Sequence, residues 1–157
     1  MSAVPAVSPP APAQARACLI RLGDALYAAE VRYAREVVVF DEYTQVPLAP
    51  PHLIGVANLR GRLVPLVDLR PLLGLEPARA TRDAKALVVE RDQLTAAFLI
   101  DDVVGLEPLE RLTAPEPDEG EFIAGRLERS EGAAVLLDVS RILTALGGAS
   151  TAPAGGS

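Results

Sequence analysis

Two stretches of this chain repeat one another. Gly55 and Gly125, Leu66 and Leu136, Asp68 and Asp138, Leu72 and Ile142, and Leu73 and Leu143 all stand 70 residues apart. With a slip of one residue, Tyr27–Val37 (YAAEVRYAREV) lies over Ala96–Leu106 (AAFLIDDVVGL) in apolar pattern. An ordered set with paired glycines and paired helix-starting aspartates marks an internal pseudo-repeat. Each half is too short to bury a five-stranded sheet alone. The expected architecture is therefore mainly β, with two barrel-like lobes packed together.

Short runs rich in Val, Leu and Ile, punctuated by Gly, Pro and Asp, predict strands at Cys18–Leu22, Leu26–Glu30, Glu36–Phe40, Gly55–Leu59 and Leu63–Val67. Further strands are expected at Ala86–Glu90, Thr95–Ile100, Val103–Pro108, Phe122–Leu127 and Ala134–Leu137. Gly23-Asp24, Arg60-Gly61 and Arg129–Gly132 are the expected tight turns. Two short helices follow. In VDLRPLLGL, Asp68 can cap a first turn that tolerates Pro71, and Gly74 can end the helix. In LDVSRILTALG, Asp138 and Gly147 hold the same punctuation places.

Of the 157 residues half are apolar but only 4% aromatic, so the core has to be aliphatic. A net charge of −6 gives no means of replacing the counterions of a nucleic acid, and none of attracting an anionic membrane. The Ala/Pro-rich start, residues 1–15, has no basic n-region, and Pro5, Pro9, Pro10 and Pro12 break any apolar one. No apolar run reaches the roughly 18–20 residues that would span a bilayer, so no membrane insertion is expected. A disordered tail at 1–15 and a flexible Gly/Ala-rich end at 147–157 flank a domain at 16–146. Within it the first lobe is placed at about 16–68 and the second at about 69–146, with elements crossing between them.

The residues of a catalytic constellation are missing. There is no G-x-S-x-G, G-x-G-x-x-G, P-loop or H-E-x-x-H, and Cys18 and His52 are the only cysteine and the only histidine. Neither disulfide nor zinc cage follows from one of each, and the cytoplasm is the expected compartment. Cys18 sits in a strand as a small apolar group, and His52, in PPHLIG, reads as packing or capping. Asp101-Asp102 reads as a turn between strands, since neighbouring strand residues point to opposite faces. Glu116–Glu121 (EPDEGE) reads as a solvated acidic loop. No enzyme activity, metal or cofactor is expected.

One stretch, PPHLIGVANLRGRLVPLVDLR (50–70), exceeds what a core requires. Asn58, Leu59, Arg60, Gly61 and Arg62 put an amide and two guanidiniums around one hairpin tip, and guanidiniums suit carboxylates and carbonyls at protein interfaces. On these residues the chain resembles the CheW family, the coupling proteins of bacterial chemotaxis arrays. The motifs that carry the resemblance are CLIRLGDALYAAEV, AREVVVF, VPLAPPHLIGVANLRGRLVPLVDLRPLLGL, KALVVERDQLTAAFLIDDVVGLEPL and EFIAGRLERSEGAAVLLDVSRIL. They cover about Cys18 to Leu146.

The resemblance implies two tandem, intertwined SH3-like five-stranded β-barrel lobes and no catalysis. It implies partners at both ends of a signalling contact: the cytoplasmic hairpin tip of methyl-accepting chemoreceptors and the regulatory domain of a chemotaxis histidine kinase. It also implies a place in the cytoplasm at receptor clusters. The partner-binding residues it suggests are Glu36, Val37, Asn58, Leu59, Arg60, Gly61 and Arg62, with Gly55, Asp68, Gly74 and Asp138 in structural roles. Gly105 stands where the family often has a polar or acidic residue, a change in the second lobe that bears on kinase binding. A receptor-binding scaffold of a gliding or pilus pathway that engages no kinase is the alternative.

Overall fold

In a computed structural model of the chain, residues 15–78 and 83–156 are described, with side chains as far as Gly147. The expected tail at 1–15 therefore lies, except for Ala15, outside the described residues. Every expected strand is present, its ends shifted by a residue or two: β1 (Arg16–Leu22), β2 (Ala25–Glu30), β3 (Ala34–Phe40), β4 (Leu53–Leu59), β5 (Arg62–Val67), β6 (Ala84–Arg91), β7 (Leu94–Leu99) and β8 (Asp102–Pro108). After these come β9 (Leu112–Thr113), β10 (Ile123–Leu127) and β11 (Ala134–Leu137). The helices are α1 (Leu69–Leu72) and α2 (Val139–Gly156). Sequence gave no sign of β9, because a two-residue strand carries no periodicity.

The strands form two sheets, one ordered β8-β1-β2-β11-β10-β9 and the other β3-β6-β7-β5-β4. The division at residue 68 therefore separates the sequence repeats but not the lobes. Parallel pairings cause this: Leu66 of β5 joins Ala97 of β7, and Leu136 of β11 joins Ala28 of β2. The first half lends β1 and β2 to the lobe of β8–β11, and the second half lends β6 and β7 to the lobe of β3–β5. Neither half can complete a sheet without the other.

The pseudo-repeat extends to single hydrogen bonds. The N–H of Asp68 donates to the carbonyl of His52 and that of Asp138 to the carbonyl of Phe122, each at 2.8 Å. The register slips between Leu53 and Gly55 in β4, and between Ile123 and Gly125 in β10. Both glycines are needed for close approach. A Cβ on Gly55 would overlap the carbonyl oxygen of Thr44, and one on Gly125 would lie 2.5 Å from that of Thr113.

Asp68 caps α1 as expected, its Oδ1 accepting from the N–H of Arg70 at 3.1 Å. It is 2% exposed, and its second oxygen accepts from the N–H of Ala78 at 2.7 Å, so it also fastens the loop after the helix. Gly74 (φ 78°) ends α1, with the N–H of Leu75 returning to the carbonyl of Arg70 at 2.8 Å and that of Gly74 to Pro71 at 3.3 Å. Asp138 caps α2 through the N–H of Arg141 at 2.9 Å. The expected helix stop at Gly147 is corrected, since α2 runs on to Gly156. Gly147 is buried, and a Cβ there would lie 2.7 Å from Leu94 Cδ2, so it lets the helix approach β7 instead of ending it.

Among the described residues three apolar clusters hold the molecule. One lies inside the β3–β7 lobe, around Phe40, Val64, Leu66 and Val88. A second lies inside the other lobe, around Leu19, Leu127 and Leu136. The largest joins the lobes and contains Ile20, Tyr27, Val67, Leu69, Leu87, Phe98, Leu137 and Ile142. Polar ties add to it. Asp101 accepts from Arg70 Nη2 at 2.6 Å and Asp102 from Lys85 Nζ at 3.3 Å, so this pair turns the chain and faces two separate cations.

Candidate functional site

Leu59 pairs with Arg62 across the β4–β5 hairpin, leaving a two-residue turn in which Arg60 (φ 51°) and Gly61 (φ 88°) are both left-handed. This is the turn that matches the twist of the flanking strands, and glycine takes its second place without steric cost. Asn58 Oδ1 accepts from the N–H of Gly61 at 2.9 Å and secures the turn. A non-glycine residue in the left-handed region needs such support.

The Arg60 side chain crosses to Glu36. Its Nη1 donates to Oε2 at 2.5 Å and its Nη2 to Oε1 at 2.6 Å, a two-pronged pairing. Yet β3 and β4 are the opposite outer strands of their sheet. The Glu36–Arg60 pair spans the seam between these two edges, which are not paired as strands there. Thr44 and Val56 close it elsewhere through reciprocal backbone bonds of 2.8 and 2.9 Å. The Arg60 side chain remains 70% exposed, so the pair costs little to desolvate and faces outward for a partner.

Hydrogen bonding to Arg60, more than its charge, holds the Glu36 carboxyl below its ordinary value of 4.5. The pairing is therefore present above the ordinary carboxylate range and lost as pH falls through the depressed folded value. In a titration followed by carboxyl carbon shifts, Glu36 should protonate below the ordinary glutamate value. In Arg60→Ala its midpoint should rise toward that value. A Glu36 midpoint that does not respond to Arg60→Ala would show the two side chains apart in solution.

The other expected residues are not gathered with them. Arg62 turns to β7, where Nη2 donates to Thr95 Oγ1 at 3.0 Å, so the two guanidiniums of the tip diverge. Val37 is exposed on β3, and Leu59 is half-buried against the lobe core. The direct contact of Glu36 with Arg60 was missed from sequence, as was Thr95. A 24-residue separation leaves no local pattern that would reveal the contact. Burial raises the pKa of the Cys18 thiol, and burial lowers that of the His52 imidazole, so neither is poised as a nucleophile or a charged acid. Glu119, expected in a solvated loop, is instead drawn in by Arg126 at 2.6 Å and by the N–H of Glu116 at 2.8 Å. Among the described residues no group of three His, Cys, Asp or Glu could hold a metal ion, and no helix is long and apolar enough to cross a membrane.

A family model described as a CheW-like domain matches residues 16–147. The chain belongs to the CheW-like domain family. The chemotaxis protein CheW of Helicobacter pylori is 39% identical over 80 residues, which are 51% of this chain and 48% of that protein. Protein PilI of Pseudomonas aeruginosa is 36% identical over 87 residues, 55% of this chain and 49% of that one. These matches span only about half the length of either relative. The chemotaxis protein CheW of Rhizobium meliloti is 31% identical over 124 residues, 78% of this chain and 77% of that one. The crystal structure of the scaffolding protein TtCheW from Thermoanaerobacter tengcongensis superposes with a TM-score of 0.71 at 22% identity, covering 79% of this chain and 88% of that one. The two sheets are thus the paired SH3-like lobes of the CheW-like fold.

In this CheW-like chain the two lobes present different tips. The β4–β5 hairpin carries the NLRG turn, whereas β10 and β11 are paired only as far as Leu127 and Ala134 and are joined by a wider loop. Register places Gly105 of β8 where β3 has Glu36, so the second lobe has no counterpart of the Glu36–Arg60 pair.

Proposed function

We propose that this chain is a non-catalytic signalling adaptor. It binds the cytoplasmic hairpin tip of a methyl-accepting chemoreceptor and the regulatory domain of a chemotaxis-type histidine kinase, within a cytoplasmic receptor array. The observation that carries the reading is the family match across both lobes, joined to an exposed Glu36–Arg60 pair on an NLRG turn. Glu36, Val37, Asn58, Leu59, Arg60, Gly61 and Arg62 form the proposed contact surface.

Such a molecule works by carrying free energy. When one body touches receptor and kinase together, a change in either biases the other by linkage. Two modest contacts on one rigid connector also raise each other's effective concentration, so neither has to be strong. The shared core between the lobes supplies the rigidity.

The match to protein PilI bears on the pathway alone, and the second reading is a scaffold of a non-flagellar pathway that engages a receptor but no kinase. Capture of purified kinase regulatory domain on the immobilised chain separates the two. The adaptor retains the domain at micromolar concentration, and the receptor-only scaffold does not.

A further inference from the structure

The β6–β7 hairpin turns in the same way as the NLRG hairpin and serves as its control. Arg91 pairs with Leu94, and between them Asp92 (φ 51°) and Gln93 (φ 72°) are both left-handed. Among the described residues no side chain accepts from the backbone of that turn. Aspartate takes the left-handed region more readily than arginine does. Where Arg60 (φ 51°) holds the equivalent place, Asn58 supplies an oxygen to the N–H of Gly61 at 2.9 Å.

The pseudo-repeat supplies a second control. The counterpart of Asn58, 70 residues on, is Glu128, at the wider loop of the lobe that has no Glu36–Arg60 pair. Acceptor and paired arginine are present together at one tip and absent together at the other. Along β4, Ala57 and Leu59 face the lobe core, so the exposed Asn58 between them leaves from the outer face. Its oxygen is engaged by Gly61, the residue that follows Arg60. That bond fixes the backbone from which the Arg60 guanidinium reaches both oxygens of Glu36.

We infer that Asn58 is a positioning residue within the proposed contact surface. It serves partner binding by fixing the turn that aims Arg60 at Glu36, not by touching the partner itself. Its effect on a partner rests on the adaptor reading above, whereas its effect on Glu36 belongs to the chain alone.

The test is a double-variant cycle on the full chain, with Asn58→Ala, Arg60→Ala and the two changes together. In calorimetry against the receptor cytoplasmic fragment, Asn58→Ala should bind about fivefold more weakly, the worth of one hydrogen bond. The double variant should bind within about twofold of Arg60→Ala, since a residue that acts through another adds nothing once that other is gone. With no partner present, carboxyl carbon shifts should show the Glu36 midpoint rising in Asn58→Ala toward its ordinary value. Amide exchange at Gly61 should quicken at least about fivefold in Asn58→Ala. It should stay slow in Asn58→Asp, which keeps an oxygen for that N–H. Losses that multiply in the double variant, or a Glu36 midpoint that Asn58→Ala leaves unmoved, would overturn the positioning role. If the parent chain binds no receptor fragment, the adaptor reading fails, and the Glu36 and Gly61 measurements still decide the role of Asn58.

Discussion

Arg60→Ala should weaken binding to a partner by about thirtyfold or more, measured by calorimetry against a receptor cytoplasmic fragment and against a kinase regulatory domain. Losses of that size are typical of a central arginine at an interface. The same variant should melt within about 3 °C of the parent, because an exposed ion pair adds little to stability. Affinity and stability therefore part company. The charge swap Glu36→Arg, Arg60→Glu sharpens the test, since it can restore the pair across the seam without restoring the guanidinium on the NLRG turn. If a partner reads that guanidinium, the swap stays as weak as the single variant. Full recovery of affinity in the swap would mean that the pair acts only by shaping the lobe, and an unchanged dissociation constant in Arg60→Ala for both partners would remove Arg60 from the contact surface.

Phe98→Ala should cost about 3–5 kcal/mol of unfolding free energy, the loss expected when a buried aromatic leaves a cavity that its surroundings only partly fill. Phe98 is fully buried in the cluster that joins the lobes. The register sets Ala29 at the equivalent place in β2 and pairs Tyr27 with Ala96 in the same way, so bulk on one side of the repeat is matched by alanine on the other. Truncation at Phe98 leaves no large neighbour of the same repeat position to compensate. Urea unfolding should show a lower midpoint and an unchanged slope, in a single transition, because each sheet needs strands from both halves. Val37→Ala, at an exposed site, should stay within about 0.5 kcal/mol. A Phe98→Ala loss below about 1.5 kcal/mol, or two separate transitions, would contradict the shared core.

Much of this architecture was readable from the residues because strand patterns and caps are local. The apolar runs in CLIRL and VVVF, the Asp68 and Asp138 caps and the Gly74 stop each depend on a handful of neighbouring positions. The 70-residue repeat carried further, down to the matching carbonyls of His52 and Phe122. What could not be read was tertiary. Nothing local says that β5 lies beside β7 and β11 beside β2, so the residues imply that elements cross between the lobes but not which strands do. Gly147 looked like a helix stop because glycine serves both as a stop and as a point of close approach, and only Leu94 distinguishes the two. At the tip, Asn58, Arg60 and Arg62 were visible as a group. Their separate partners, Gly61, Glu36 and Thr95, come from the hairpin itself and from two other strands.

Co-sedimentation of the chain with receptor cytoplasmic fragments, with and without the kinase regulatory domain, examines the proposed coupling role most directly. The chain should pellet with the receptor fragment alone, and should carry the kinase domain into the pellet only when it is itself present. A folded chain that stays in the supernatant, or a kinase domain that pellets equally well without it, would contradict a connector between the two.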